Sequence, residues 1–142
     1  MTGHLFVYGT LLSGLHHPMH DLMVQHARFV APGYINGRLY EIDNYPGLVL
    51  SNNPRMIVRG EIYAVADAAR LFEYLDQYEG CSTHSARPYE YQRDMVTIHD
   101  SHGDTLLAWC YLYKRCIKQA KLIPVGDYLA FRNKGLRRIV NG

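Results

Sequence analysis

The sequence of 142 residues is poor in cysteine and has no long apolar run. The three cysteines, Cys81, Cys110 and Cys116, are an odd number without a C-x-x-C pair, so the sequence predicts neither a disulfide framework nor a zinc knuckle. No stretch approaches the roughly 18 apolar residues of a membrane span. The residues from Met1 to His4 lack the basic segment of a signal peptide. We therefore expect reduced thiols, no membrane partner and a cytoplasmic protein.

A strong net charge is also missing, although the charge is unevenly distributed. The net charge is +2, from 15 basic and 13 acidic residues. Residues 114–142 hold 8 of the basic residues and 1 of the acidic ones, which leaves 7 and 12 for residues 1–113. Such a basic tail can attract an anionic partner. Because no aromatic stacking series or nucleic-acid module accompanies it, the sequence favours a solvated basic face and no nucleic-acid partner.

What the sequence does contain is a series of short strand-like segments. With 48% hydrophobic residues, a chain of this length suits a single domain over residues 1–142, with a basic C-terminal segment from about 114 to 142. Helical patterns are few and no β-α-β alternation occurs, so we expect an α+β fold in which an antiparallel or mixed sheet curls into a small barrel. Segments rich in Val, Ile, Leu and Tyr predict the strands: Leu5–Tyr8, Ala27–Tyr34, Arg38–Ile42, Leu48–Leu50, Ile57–Val65, Tyr91–His99 and Thr105–Tyr113.

One helix is clearly indicated between Asp67 and Gly80. Asp67 can accept hydrogen bonds from the first turn, and Gly80 can adopt the left-handed conformation that ends a helix. Weaker patterns indicate short helices at Pro18–Gln25 and Asp127–Asn133. Apolar residues recur on one face of the main helix, which we expect to pack on the sheet: Ala68, Leu71, Phe72, Leu75 and Tyr78.

Glu79 is the acidic residue of this helix that falls on the apolar face. It follows Leu75 by four residues and Phe72 by seven, so helical spacing turns it inward. It also lies at the negative end of the helix dipole. Burial and the dipole both raise a carboxyl pKa, as a general acid or base requires. The alternative is an ordinary surface glutamate before a terminal glycine, because helix ends fray.

A second candidate site is the segment from Tyr8 to Leu11, where the first strand ends in a Tyr-Gly-Thr-Leu sequence. A glycine there lets the chain turn and lets a ligand approach the backbone closely. The amides of Gly9, Thr10 and Leu11 then form a concavity suited to a carboxylate or a carbonyl oxygen. The alternative is a plain turn without a ligand.

Five segments in this order resemble the γ-glutamylcyclotransferase-like family, which includes γ-glutamylamine cyclotransferases and AIG2-like proteins. They are FVYGTLLSG (6–14), YPGLVL (45–50), VRGEIYAV (58–65), LDQYEG (75–80) and PYEYQR (88–93). The resemblance covers residues 5 to about 113 and implies a small mixed β-barrel with a few flanking helices. No cofactor and no metal are implied.

The resemblance also implies a reaction and the residues that perform it. The family closes a γ-glutamyl group to 5-oxoproline and releases the attached amine, so the expected partner is a small γ-glutamyl compound. Carried over by motif, Glu79 is the catalytic acid/base, and Tyr8, Gly9, Thr10 and Leu11 hold the substrate. The substrate's own amine is the nucleophile, so the protein need supply only a proton acceptor and donor. A binding module that keeps the pocket without turnover remains the alternative.

Other residues carry weaker hypotheses. Tyr91 and Tyr113 are candidate pocket residues, and the segment 80–87 is longer than the family pattern leads us to expect, which leaves the leaving amine open. A cysteine mechanism with Cys81 and His84 is a rival that lacks a third orienting group. A metal site at His16, His17 and His20 is disfavoured because Pro18 and Met19 interrupt the spacing and no further ligand motif occurs.

Overall fold

The strands of the computed structural model close into a barrel. The structure describes residues 3–15, 17–80 and 89–132. In chain order the elements are β1 (Gly3–Val7), a 3-10 turn (Ser13–Leu15), α1 (Pro18–Val24), β2 (Ala27–Glu41), β3 (Pro46–Leu50), β4 (Ile57–Val65), α2 (Ala68–Tyr78), β5 (Tyr91–Asp100), β6 (Thr105–Tyr113) and β7 (Lys121–Leu122), and residues 128–132 are also helical.

The barrel consists of five strands in the order β2-β4-β1-β6-β5, and it closes where β5 pairs with β2. The β1–β6 pair is parallel, with Leu5 opposite Trp109, and the other four pairs are antiparallel. The predicted mixed β-barrel with flanking helices is therefore confirmed. Among the described residues, no helix is long and apolar enough to cross a bilayer.

One strand prediction is wrong, and the reason is a change of partner. The two predicted strands Ala27–Tyr34 and Arg38–Ile42 form a single strand, β2. Its residues up to Asn36 pair with β4, whereas those from Gly37 onward pair with β3, outside the barrel. The Asn-Gly pair that resembles a turn in the sequence therefore marks the point where β2 leaves the barrel.

Helix α2 lies against the barrel as its caps and apolar face predict. The Asp67 carboxylate accepts a hydrogen bond from the Arg70 amide (3.2 Å), and Gly80 has a φ of +74°. The side chain of Tyr78 differs from the prediction, because it is 41% exposed. The other four apolar residues of the face are buried, and together they hold the helix on the sheet: Ala68, Leu71, Phe72 and Leu75.

A cation on β5 fixes the last turns of α2. The Arg93 guanidinium lies over the rings of both Phe72 and Trp109, 4.1 and 4.5 Å from their centroids. It also binds the Asp76 carboxylate through two nitrogens, at 2.9 and 3.1 Å. The Tyr111 hydroxyl donates to the same carboxylate at 2.6 Å. These contacts set the position of the helix end, where Glu79 lies.

Candidate functional site

A cavity of about 230 Å³ opens where β1 and α2 both end. It brings together Glu79 and the segment from Tyr8 to Leu11, although about 70 residues of sequence separate them. Tyr91 also lines it, whereas Tyr113 contacts the Tyr91 ring edge-on and is not among the described lining residues. Those residues are Phe6, Val7, Tyr8, Gly9, Thr10, Leu11, Tyr45, Pro46, Tyr78, Glu79, Glu90, Tyr91 and Tyr111.

The segment after β1 forms a turn that is fastened to the barrel. The Leu12 amide donates to the Gly9 carbonyl at 3.0 Å, which closes the turn. The Ser13 amide and hydroxyl then donate to the two carboxylate oxygens of Glu61 on β4, at 2.9 and 2.6 Å. Thr10 and Leu11 are thus held at the cavity wall from both ends of the turn.

The glycine of this turn is required by a close contact with Pro46. A Cβ atom at Gly9 would lie 2.6 Å from the Pro46 Cγ. The φ of Gly9 is not positive, so the left-handed conformation is not the reason for the glycine. The neighbour that approaches this glycine closely is Pro46, which also lines the cavity, and the close approach of a ligand stays a prediction.

Tyr8 is buried, and its hydroxyl joins three strands. It donates to the Tyr111 carbonyl at 2.6 Å and accepts a hydrogen bond from the Leu48 amide at 3.3 Å. Burial raises the pKa of Tyr8 well above its ordinary value, so the phenol stays protonated. Tyr8 contributes its ring to the cavity wall, while its hydroxyl is used inside the protein.

The Glu79 carboxyl is partly buried and lies in the cavity wall. Burial is the main reason why the pKa of Glu79 rises to about 8, and the negative charges of Glu90 and Asp76 raise it further. Among the described residues, none gives this carboxyl a side-chain hydrogen bond that would oppose the shift. Glu79 can therefore gain and lose a proton near neutral pH.

Glu90 is a second carboxylate of the cavity, and sequence reasoning assigned it no role. It immediately precedes β5, and its Oε2 accepts a short hydrogen bond from the Tyr45 hydroxyl. Tyr45 precedes β3, so the contact joins two loops that are far apart in the chain. No local sequence pattern indicates such a pair. The only sequence signal for Glu90 is that it precedes Tyr91 in the PYEYQR segment.

Two of the three clustered histidines contact residues of the cavity wall through hydrogen bonds. His17 caps α1, since its Nδ1 accepts from the Met19 amide at 3.1 Å, and its Nε2 lies 3.4 Å from the Tyr78 hydroxyl. That hydroxyl lies 3.3 Å from the Thr10 Oγ1. The His20 Nδ1 donates to the Leu11 carbonyl at 2.7 Å.

Several weaker hypotheses concern residues outside the described part of the chain, namely His16, Cys81, His84 and most of the segment 80–87. Within the described ranges, no group of three His, Cys, Asp or Glu side chains could hold a metal ion. Of the described cysteines, Cys110 is buried and Cys116 is exposed, and neither is among the described residues that line the cavity.

Residues 5–130 match the protein family described as "Gamma-glutamyl cyclotransferase, AIG2-like". The chain is 34% identical over 126 residues to the "Gamma-glutamylcyclotransferase family protein YtfP" of Escherichia coli K12, covering 88% of this chain and 95% of that protein. It is 30% identical over 105 residues to the "Gamma-glutamylaminecyclotransferase" of Mus musculus, covering 67% of this chain and 62% of that protein.

Solved structures share the barrel. A crystal structure of an AIG2-like protein from Mus musculus has a TM-score of 0.66 and 27% identity, over 83% of this chain and 81% of that one. The crystal structure of YkqA from Bacillus subtilis has a TM-score of 0.67 and 24% identity over 90% of this chain. Our chain spans 40% of the length of YkqA, so there the fold is part of a longer protein.

Proposed function

Because the chain belongs to the γ-glutamyl cyclotransferase, AIG2-like family, we propose that it closes the γ-glutamyl group of a small γ-glutamyl amine, amino acid or peptide to 5-oxoproline and releases the amine. The observation that carries the proposal is the cavity shared by Glu79, with its raised pKa, and the turn at Thr10 and Leu11. The name of the mouse relative supports a γ-glutamyl amine as one such substrate.

Glu79 is the proton carrier of the proposed reaction. The substrate's α-ammonium loses a proton to the Glu79 carboxylate, and the resulting amine attacks its own γ-carbonyl carbon. A carbon–nitrogen bond of the five-membered ring forms, and the original amide bond breaks. The protonated Glu79 then donates to the departing nitrogen, and the second proton that the ring nitrogen loses passes to the released amine, which leaves as an ammonium ion. The enzyme ends in its starting state and no water is consumed. A pKa of about 8 lets one group accept and donate near neutrality.

The turn beyond β1 supplies the second half of the proposed site. The backbone amides of Thr10 and Leu11 are suited either to the substrate's α-carboxylate or to the oxyanion that develops on the γ-carbonyl. Tyr8 and Tyr91 contribute ring surface, because both hydroxyls already donate to backbone carbonyls, that of Tyr91 to Pro46 at 2.6 Å. Packing of these two rings against the substrate keeps the flexible γ-glutamyl chain in a conformation that can cyclise.

The test is to incubate the protein with a panel of γ-glutamyl amines, amino acids and peptides and to measure 5-oxoproline. At least one compound is expected to yield 5-oxoproline and the free amine in equal amounts, at a rate proportional to protein concentration. Release of glutamate in place of 5-oxoproline would contradict the proposal, since it would mean that water attacks the amide. Binding without any product would favour a non-catalytic module of the same fold.

A further inference from the structure

The cavity carries more negative charge than the proposed chemistry needs. Glu79 and Glu90 both line it, and none of the described lining residues is basic. In the proposed reaction the substrate's amine uses Glu79, and its carboxylate is suited to the turn at Thr10 and Leu11. Glu90 has no part in either task. A charged group kept partly buried at this position favours a ligand with a compensating positive charge.

The tyrosines of the cavity point to the same kind of ligand. Five tyrosines line it, and four of them donate their hydroxyl proton to another protein group. Tyr8 offers a ligand only its ring, because its hydroxyl also accepts from the Leu48 amide. The other three offer oxygen lone pairs and ring faces, both of which attract an ammonium group. The four donor and acceptor pairs are Tyr8 with the Tyr111 carbonyl, Tyr45 with the Glu90 carboxylate, Tyr91 with the Pro46 carbonyl and Tyr111 with the Asp76 carboxylate.

Tyr45 fixes where the surplus charge lies. Its hydroxyl holds one oxygen of Glu90, and its ring lies 6.3 Å from that of Tyr91. Glu90 lines the cavity, and its described hydrogen bond uses Oε2 only, so Oε1 is left as an acceptor among the described residues. An ammonium group that binds Glu90 loses water and gains a charged partner. Because aromatic rings lie beside this ion pair, its interaction is stronger than that of an ion pair exposed to water.

We propose, on the basis of the function proposed above, that Glu90 selects substrates by the charge of the leaving amine. It favours a γ-glutamyl diamine, whose leaving group carries a second ammonium, and disfavours γ-glutamyl amino acids and peptides, whose leaving groups carry a carboxylate. Tyr45 is the positioning residue for this selection.

The experiment compares three substrates that share the γ-glutamyl end and differ in the leaving group: 1,4-diaminobutane, 1-aminopentane and 4-aminobutanoate. We expect kcat/KM to fall in that order, with roughly 10- to 100-fold between the first and the last, as for hydrogen bonds to charged groups. The Glu90→Gln variant should bring the three values to within about threefold, mainly by raising KM for the diamine derivative. Each value is measured on the pH plateau, so that a changed pKa of Glu79 affects all three alike.

Glu73→Gln is the matched control, because Glu73 is exposed on α2 and is not among the described lining residues. It makes the same change of charge and should leave the order intact. Tyr45→Phe should weaken the preference without reversing it. An equal loss for all three substrates in Glu90→Gln would overturn the proposal, because Glu90 would then serve the shared γ-glutamyl end. Equal kcat/KM values in the wild type would also overturn it.

Binding of the free amines, measured by calorimetry, separates this proposal from the proposed function. If no substrate yields 5-oxoproline but 1,4-diaminobutane binds more tightly than 4-aminobutanoate in a manner that needs Glu90, the function fails and the charge selection stands. If 5-oxoproline forms and neither kcat/KM nor binding depends on Glu90, the charge selection fails alone.

Discussion

Two concave regions of the molecule differ in how their acidic side chains are used. The cavity at the end of β1 has about 230 Å³, whereas an open hollow between β2 and the β5–β6 hairpin has about 630 Å³. In the hollow, the Asp100 carboxylate accepts the backbone amides of His102 and Asp104 at 2.8 and 3.0 Å. The Asp127 carboxylate accepts the Ala130 amide at 3.0 Å. These acids stabilise a hairpin and a helical turn.

In the smaller cavity, none of the described hydrogen bonds joins the Glu79 or Glu90 carboxylate to the backbone. Glu79 lies partly buried beside Glu90, whose described hydrogen bond is to the Tyr45 side chain. Under the proposed function the smaller cavity is the reactive region, so size does not identify it. The distinguishing property is a carboxyl that burial and a like charge keep close to its titration point. Substitutions that alter one of the two regions and leave the other unchanged test this difference.

The largest effect is expected from Glu79→Gln. The amide keeps the shape of the side chain but cannot carry a proton between the two nitrogens, so 5-oxoproline formation should fall roughly 10²- to 10⁴-fold. Substrate binding should change much less, as isothermal titration of the inactive variant can show. Glu73→Gln on the exposed face of the same helix serves as the control and should keep full activity. Turnover by Glu79→Gln within twofold of the wild type would remove Glu79 from the mechanism.

The next effect concerns the turn at Gly9, which lines the cavity together with Glu79. In Gly9→Ala the new Cβ meets Pro46 at 2.6 Å, so the turn must shift away from its place beside Glu79. A displacement of about 1 Å is enough to lower kcat/KM roughly 10- to 100-fold. Gly3→Ala is the matched control, because its Cβ would lie 3.7 Å from the Trp109 ring, an ordinary contact. If both variants have wild-type kcat/KM, the position of the turn does not matter for turnover.

A smaller and more specific effect concerns pH. Glu79 must be ionised to accept the first proton, so kcat/KM should rise with pH with a midpoint at about pH 8. Because the negative charge of Glu90 raises the pKa of Glu79, Glu90→Gln should move this rise to lower pH. Asp100→Asn in the hollow removes a charge that is not among those that raise the pKa of Glu79, so it should leave the profile in place. A shift to higher pH in Glu90→Gln would contradict the assigned coupling.

The sequence predicted those parts of the fold and site that depend on local signals. Asp67 and Gly80 mark the ends of α2, and helical spacing turns Glu79 inward because the apolar face is regular. The prediction of two strands in place of β2 was wrong because the Asn36-Gly37 pair looks like a turn. Only the pairing with distant strands shows that the chain continues as one strand.

The missed parts of the site depend on contacts between distant segments. Glu90 reaches the cavity beside Tyr45, 45 residues earlier, so neither residue's neighbours in the sequence reveal the contact. Tyr111 and Tyr113 are two residues apart on β6 and therefore project from the same face, and the candidate named from the sequence was Tyr113. The structure places Tyr111 in the wall, while Tyr113 pairs with Tyr91 across the β5–β6 ladder. Which tyrosine lines the cavity depends on where along β6 the cavity lies, which the residue types do not determine.

The smallest effect on turnover is expected from a substitution in the larger hollow. There the stability of the protein should fall while its activity stays nearly unchanged. Asp100→Ala removes the acceptor of two backbone amides at the hairpin, so the free energy of unfolding should fall by about 1 kcal/mol while 5-oxoproline formation stays within twofold. Asp100→Asn keeps an oxygen in the same place and should recover most of the loss. Denaturant unfolding measures the first quantity and product release the second. A large loss of turnover in a stably folded Asp100→Ala would mean that the hollow takes part in the reaction, and that an acid held by backbone amides is not a reliable sign of a purely structural role.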